Sequence, residues 1–208
     1  MLDVRIESFS LHSQPKSISS TSNGILIAEN NGIEIISKGE KHTIPTTFAA
    51  TCICSHGNLV AVGADDGKVR VYELFNCIEL KLKQELSSNR GAVTCVEFSP
   101  DGLWLIAGDD QRSIQLFDVA NGFASSGKKC GFHSARVVSL AWSPDSKYFV
   151  SGSLDTNICM WDIASTPLSC VTVKNAHQDC VCSVKFLDDK TIISAGQDAF
   201  IRTWKIKQ

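Results

Sequence analysis

What this sequence lacks narrows its function before any motif is found. It has no excess of charge of either sign. Lys and Arg number 20 against 22 Asp and Glu, for a formal net charge of −2. So balanced a chain offers no basic field to draw in nucleic acid or anionic lipid. Arg, Lys and aromatic residues are not interleaved along one element, which also speaks against single-stranded nucleic acid. No apolar run approaches the length of a transmembrane helix. The first eleven residues carry Asp3, Arg5 and Glu7 and lack the apolar stretch of a signal peptide. A cytoplasmic protein without nucleic-acid or membrane partners is the expectation. The nine cysteines include no CxxC pair. Cys52/Cys54 and Cys180/Cys182 are CxC pairs in apolar, strand-like runs, so both members of a pair share a face. No companion ligands stand at metal-site spacing, and reduced thiols serving as small core residues are expected, with no metal and no cofactor. The P-loop, dinucleotide fingerprint, HExxH and nucleophile-elbow motifs are all missing. Gly63 to Gly67 is a turn rather than a phosphate cradle, because no helix follows it. Asp65/Asp66, Asp109/Asp110 and Asp188/Asp189 fall in predicted turns, where solvated side chains are expected rather than acid–base partners. Helical periodicity is absent throughout, and no small-molecule substrate is indicated.

What is present is a repeat. The 208 residues, 43% hydrophobic and 20% charged, suffice for a domain with a real core. Ser151-Gly152-Ser153-Leu154-Asp155, closing on Met160-Trp161-Asp162, aligns with Ser194-Ala195-Gly196-Gln197-Asp198, closing on Thr203-Trp204-Lys205. A third copy runs from Ala107-Gly108-Asp109-Asp110-Gln111 to Phe117-Asp118, and a fourth from Val62-Gly63-Ala64-Asp65-Asp66 to Tyr72. A fifth and weakest copy ends at Ile36. The equivalent ends, Ile36, Tyr72, Phe117, Trp161 and Trp204, are 36, 45, 44 and 43 residues apart. Within one unit, Val137–Trp142, Tyr148–Ser151, Ile158–Trp161 and Cys170–Val173 read as four short strands, with Ser143-Pro144-Asp145-Ser146 as a turn. The preceding unit repeats this with Val93–Phe98, the turn Ser99-Pro100-Asp101-Gly102, and Leu103–Ala107. Four short strands per unit at a period of about 40–45 residues is the WD40 spacing and predicts an all-β propeller of about five blades. The expected blades are 12–46, 47–88, 89–132, 133–176 and 177–208.

Two units also share polar residues: His133, Ser151, Asp155 and Trp161, and His177, Ser194, Asp198 and Trp204. A Ser, His and Asp set invites a catalytic-triad reading. Its repetition argues for a structural device instead, since one active site needs one constellation. Resemblance to WD40 repeats implies a buried network in which Asp holds His, His contacts Ser, and Ser reaches the Trp ring nitrogen. Such a network stabilises only when every member is satisfied. The third unit has Asn89, Ala107 and Gln111 at the matching places, and the second keeps only Asp66. Firmer C-terminal and looser N-terminal blades are therefore expected, and no catalytic residues.

Particular stretches resemble one family. Gly131-Phe132-His133-Ser134-Ala135-Arg136 through Trp142-Ser143-Pro144-Asp145, then Asn175-Ala176-His177, Phe186-Leu187-Asp188-Asp189-Lys190-Thr191 and Gln197-Asp198-Ala199, are similar to the actin-interacting protein 1 family of WD-repeat cofilin cofactors. Gln14-Pro15-Lys16 and Gly67 to Tyr72 fit the same family in the same order. The resemblance implies the C-terminal part of the second of two tandem propellers, a cytoskeletal location, and actin filaments and cofilin as partners in filament disassembly. The alternative is a generic WD40 scaffold or adaptor subunit of another complex. Either way the expected function is non-catalytic protein binding, on a face that would present Arg90, Asp110, Arg136, Leu154, Gln178 and Gln197. The chain ends after the third strand of its last unit. Residues 4–11, the one spare strand signal, are expected to pair there, and an open arc with exposed edges is expected over a closed five-bladed ring.

Overall fold

A computed structural model describes residues 8–87, 89–128 and 130–206. Five antiparallel sheets follow one another along the chain. Blade one holds β1 (Pro15–Thr21), β2 (Gly24–Glu29), β3 (Gly32–Ser37) and β4 (Glu40–Pro45). Blade two holds β5 (Ala50–His56), β6 (Leu59–Ala64), β7 (Val69–Phe75) and β8 (Glu79–Leu86). Blade three holds β9 (Val93–Phe98), β10 (Trp104–Asp109), β11 (Ile114–Asp118) and the short β12 (Ala124–Ser125). Blade four holds β13 (Val137–Trp142), β14 (Tyr148–Ser153), β15 (Ile158–Asp162) and β16 (Ser169–Val173). Blade five holds β17 (Val181–Asp188), β18 (Thr191–Gly196) and β19 (Ile201–Lys205). The protein is a partial WD40-type propeller.

The connections explain the regularity. In blades three and four the turn between the first two strands starts at a buried serine, Ser99 or Ser143. Its hydroxyl oxygen accepts the N–H of Trp104 at 2.9 Å or of Tyr148 at 3.0 Å, which fixes where the second strand begins. Gly102 occupies φ +72 in the first of these turns, a region open to glycine at no steric cost. The turns also join blades: the Asp101 N–H donates to Ser146 Oγ, and the Asp145 N–H to Asp189 Oδ1.

Blade stacking is set by close approach of an inner strand to the second strand of the preceding blade. A Cβ on Gly152 would lie 2.7 Å from Val181 Cγ1, and one on Gly63 2.5 Å from Val93 Cγ1. Only a residue without a side chain lets the valine in. Hydroxyls stitch the same seams: Thr51 Oγ1 donates to the Val93 carbonyl and Thr94 Oγ1 to the Val137 carbonyl, both at 2.6 Å.

The arc is open. Ile33, Val69, Ile114 and Ile158 occupy one position in blades one to four, and none is more than 1% exposed. Ile201, their counterpart in blade five, is 70% exposed because no further blade among the described residues covers it. At the other end, Ile25 is 38% exposed while its counterparts Val60, Leu105, Phe149 and Ile192 are buried. The expected strand over 4–11 falls partly outside the described residues. Its described part, 8–11, joins no sheet, and the last sheet has three strands among the described residues. The chain from Ser10 to Ser13 is tied to blade one instead. Lys41 Nζ donates to the Ser10 carbonyl, His12 Nδ1 lies 2.7 Å from Glu34 Oε1, and the Ser13 N–H donates to Glu29 Oε2.

Candidate functional site

The polar residues of blades four and five form two hydrogen-bonded chains with matching geometry. His133 lies four residues ahead of β13 and is buried. Its Nδ1 is 3.0 Å from Asp155 Oδ2 and its Nε2 2.8 Å from Ser151 Oγ, and Trp161 Nε1 donates to the same hydroxyl oxygen at 2.9 Å. In blade five His177 Nδ1 is 2.8 Å from Asp198 Oδ1, its Nε2 2.8 Å from Ser194 Oγ, and Trp204 Nε1 donates to Ser194 Oγ at 2.9 Å. In blade four one assignment of protons satisfies every partner, whereas in blade five Arg202 Nη1 also lies 2.7 Å from His177 Nδ1. The Nδ1–H donates to the carboxylate, the serine O–H donates to Nε2, and the serine oxygen accepts the indole N–H. The carboxylates also close the loop ahead, accepting the N–H of Ser134 and of Gln178.

The electrostatics agree. Burial pushes His133 below its ordinary value of 6.5, against the opposing pull of Asp155, so the ring stays neutral and Nε2 can accept. Burial pushes the Asp155 carboxyl up, but the N–H of Ser134, the ring of His133 and the N–H of Asn157 together hold it below the usual carboxylate range. Asp198 is held lower still: the N–H of Gln178, His177, Arg202 and the N–H of Phe200 outweigh burial. Its ion pair with Arg202 spans 2.7 Å.

Distance by distance, the Ser, His and Asp of each chain match the needs of a nucleophilic triad. Access does not. Ser151 is 0% exposed and Ser194 1%, and both oxygens already accept an indole N–H. No substrate carbonyl reaches them.

The other blades solve the same loop-closing problem with different residues, which sequence comparison at the tetrad positions missed. In blade three Ala107 replaces the serine, and the side-chain oxygen and nitrogen of Asn89 are buried without a partner among the described residues. Asp109, the last residue of β10 and 0% exposed, accepts the N–H of Arg90, Gln111 and Ser113. Glu29 ends β2 in the same way and accepts from Ser13. An acid closing the second strand was the available signal. In blade two Asp66 binds Arg70 at 2.6 Å, and Arg70 in turn binds Glu85 at 3.1 Å and lies over the Phe48 ring. Arg70 leads in holding Asp66 below the carboxylate range.

The six candidate face residues lie at one end of the blades. Three equivalent backbone bonds set that end: Asp110 N–H to the Ala92 carbonyl, Leu154 N–H to Arg136, and Gln197 N–H to Cys180. Arg90, Arg136, Leu154, Gln178 and Gln197 are exposed. Asp110 is half-buried, with Oδ1 accepting from Gln111 Nε2 at 3.3 Å, so it offers less to a partner than its turn position implies.

The thiols divide. Cys52, Cys54, Cys130 and Cys159 are buried, and burial pushes Cys52, Cys130 and Cys159, with the half-buried Cys95, up to about 12. Cys182 is exposed, contrary to the core role expected of it, because no blade among the described residues packs on that side of β17. Among the described residues no group of three or more His, Cys, Asp or Glu is placed to hold a metal ion.

Comparison with known proteins fits this geometry. The family model for the WD domain, G-beta repeat, matches residues 125–162 and 168–205, and that for the Vps8 beta-propeller matches residues 40–129. The chain is 40% identical over 168 residues to actin-interacting protein 1 of Drosophila melanogaster, covering 79% of this chain and 27% of that protein. It is 34% identical over 202 residues to the 66 kDa stress protein of Physarum polycephalum, covering 95% of this chain and 33% of that one. It is 37% identical over 151 residues to WD repeat-containing protein 1 of Mus musculus, covering 72% and 24%. The chain thus spans a third or less of the length of these relatives. Repeated sheets, duplicated buried networks and these matches together make the chain a member of the WD40-repeat family that corresponds to part of actin-interacting protein 1.

Proposed function

We propose that this chain is a non-catalytic binding platform that engages actin filaments together with cofilin and contributes to filament disassembly, in the cytoplasm at the cytoskeleton. The observation that carries the reading is the similarity to proteins named for interacting with actin, which extends over 79% of the chain in one relative and 94% in another. The fold supports a binding role. Each network ties a loop on one end of a blade to a buried hydroxyl, so the exposed residues beside it are held on a rigid support. Arg136, Leu154, Gln178 and Gln197, flanking the two complete networks, are the contacts proposed on that end, with Arg90 continuing it onto blade three. Interfaces concentrate their energy in few residues, so one or two of these are expected to dominate.

Co-sedimentation tests the reading. The chain should pellet with cofilin-decorated actin filaments and less with bare filaments. An Arg136→Glu, Gln178→Glu double variant that melts like the parent should stay in solution. If the parent chain remains in the supernatant with and without cofilin, the actin reading fails for this chain.

A further inference from the structure

Blade three is built differently from its neighbours on its outer edge. In blade four β16 pairs with β15 along its whole length, from Ile158↔Val173 to Asp162↔Ser169. In blade three β12 pairs with β11 only at Phe117↔Ser125 and Asp118↔Ala124. The Ser126 N–H still donates to the Leu116 carbonyl, and the next pairing among the described residues is the single bridge Ile114↔Cys130. Gly127, between the two, has φ +68. The Lys128 amine reaches blade four and donates to the carbonyls of Ile163 and Ser165. The gap is a cavity of about 410 Å³ beside the turn between β10 and β11.

The charges around that cavity are one-sided. Arg90, Arg112 and Lys128 line it with Gln111, Ser113 and Gln115, and no carboxylate among the described residues does. The acids nearby are engaged elsewhere. Asp109 accepts three backbone N–H groups, Asp110 holds Gln111, and Asp155 holds His133 and the Ser134 N–H. Among the described residues the arginine ion pairs belong to Arg70 and Arg202, and Arg90 and Arg112 are exposed and form none. A planar guanidinium takes a carboxylate or phosphate through two parallel bonds. A volume in the range of small-ligand pockets holds more than one free anion. We infer that this cleft binds the anionic side chains of an acidic peptide segment, with Arg90 and Arg112 as the fork and the amides of Gln111 and Gln115 as further donors. The site shares Arg90 with the face proposed for actin, but its test uses no actin and stands or falls without that reading.

Fluorescence anisotropy on the 208-residue chain tests it, with fluorescein-labelled peptides of six residues: glutamate-rich, the same peptide with glutamine, and one carrying phosphoserine. The glutamate or the phosphoserine peptide, or both, should bind, and the glutamine peptide at least about tenfold more weakly, because it loses the charge-assisted bonds to the arginines. Which anionic peptide binds tells carboxylate from phosphate. Arg90→Glu, Arg112→Glu should lose the binding about tenfold or more, Arg90→Lys, Arg112→Lys should lose part of it, and Lys81→Glu on β8 should lose none. Equal binding of the glutamine peptide, no binding of either anionic peptide, or a double Glu variant that melts and binds like the parent overturns the site.

Discussion

Blades four and five carry the same four network residues at nearly the same distances, yet they are buried to very different degrees. Trp161 is 0% exposed, while Trp204 is only half-buried. Ile158 is 1% exposed and Ile201 70%. Blade four has its faces covered by blades three and five, and blade five is covered on one face only. The network therefore closes a blade upon itself, whereas a neighbour supplies the blade's apolar cover. Blade four adds a second internal device that blade five lacks. Phe149 stacks on Trp161 at 5.6 Å, with Trp142 and Phe132 each tilted at 5.5 Å onto that pair. In blade five the place of Phe149 is taken by Ile192.

The sharpest way to break this comparison is at the shared isoleucine. Ile158→Ala removes buried atoms from a close-packed seam and should destabilise by about 2–5 kcal/mol. Ile201→Ala, at the same place one blade on, should change stability by no more than about 0.5 kcal/mol. Denaturant titration of both variants reads the difference. Equal losses would mean that blade five is covered after all.

The network comes next. Ser151→Ala leaves His133 Nε2 and Trp161 Nε1 without partners in the interior, at about 1–3 kcal/mol for each orphaned group. Ser194→Ala should destabilise less, because the half-exposed Trp204 can find water. Asp155→Ala removes the acceptor for His133 and two backbone N–H groups and should destabilise more than Asp66→Ala. Asp66 is 36% exposed on its side chain, and exposed ion pairs are worth about 0–1 kcal/mol. Matching shifts in melting temperature for the two aspartate variants would contradict a special role for the complete network.

The propeller was legible from the chain because its signals are local. The spacing of Ile36, Tyr72, Phe117, Trp161 and Trp204, the Ser-Pro-Asp turns and the short apolar runs all lie within a few residues of the strands they specify. The two complete networks could be named for the same reason, as each blade repeats the positions. The substitutes could not. Asp109 and Glu29 stand two residues after the place of the network serine, and which backbone N–H groups they meet depends on how the preceding loop folds back. The exposure of Cys182 and Ile201 was also hidden, because both residues look like core by type. Their exposure follows from which blade faces remain uncovered. The cleft of blade three was invisible because Gly127 and Lys128 read as an ordinary polar loop.

Acid should separate network from cover by a smaller margin. Burial holds His133 below its ordinary 6.5 in the folded chain, so the unfolded chain binds a proton there that the folded chain does not. Stability that is full above about pH 6.5 is then lost as the pH falls from that value through the folded one. Asp155 is held below 3.8, so its contribution is present above that value and fades as the pH drops through the lower folded one. Melting temperature should fall in two stages between pH 7.5 and 3, and Asp155→Asn should flatten the lower stage. A melting temperature that is level from pH 7 to 5 would show that His133 titrates alike folded and unfolded.

The smallest perturbation reads the uncovered face directly. Cys182 occupies the position held by Thr51, Thr94 and Val138 on the earlier inner strands, where the side chain meets the next blade and the two threonines bond its carbonyls. With no blade among the described residues on that side of β17 the thiol is exposed, while the thiols of Cys52, Cys95, Cys130 and Cys159 are pushed up to about 12 and are scarcely ionised at pH 8. A thiol reagent reacts with thiolate and needs access, so its fastest phase on the native chain should be Cys182 and should vanish in Cys182→Ser with no change in stability. The two bare faces, at Ile25 and at Ile201, are the kind that drive head-to-tail association. Association through blade five would cover Cys182, and the fast phase should slow as protein concentration rises. A fast phase that survives Cys182→Ser would place the accessible thiol elsewhere and remove this probe of the open edge.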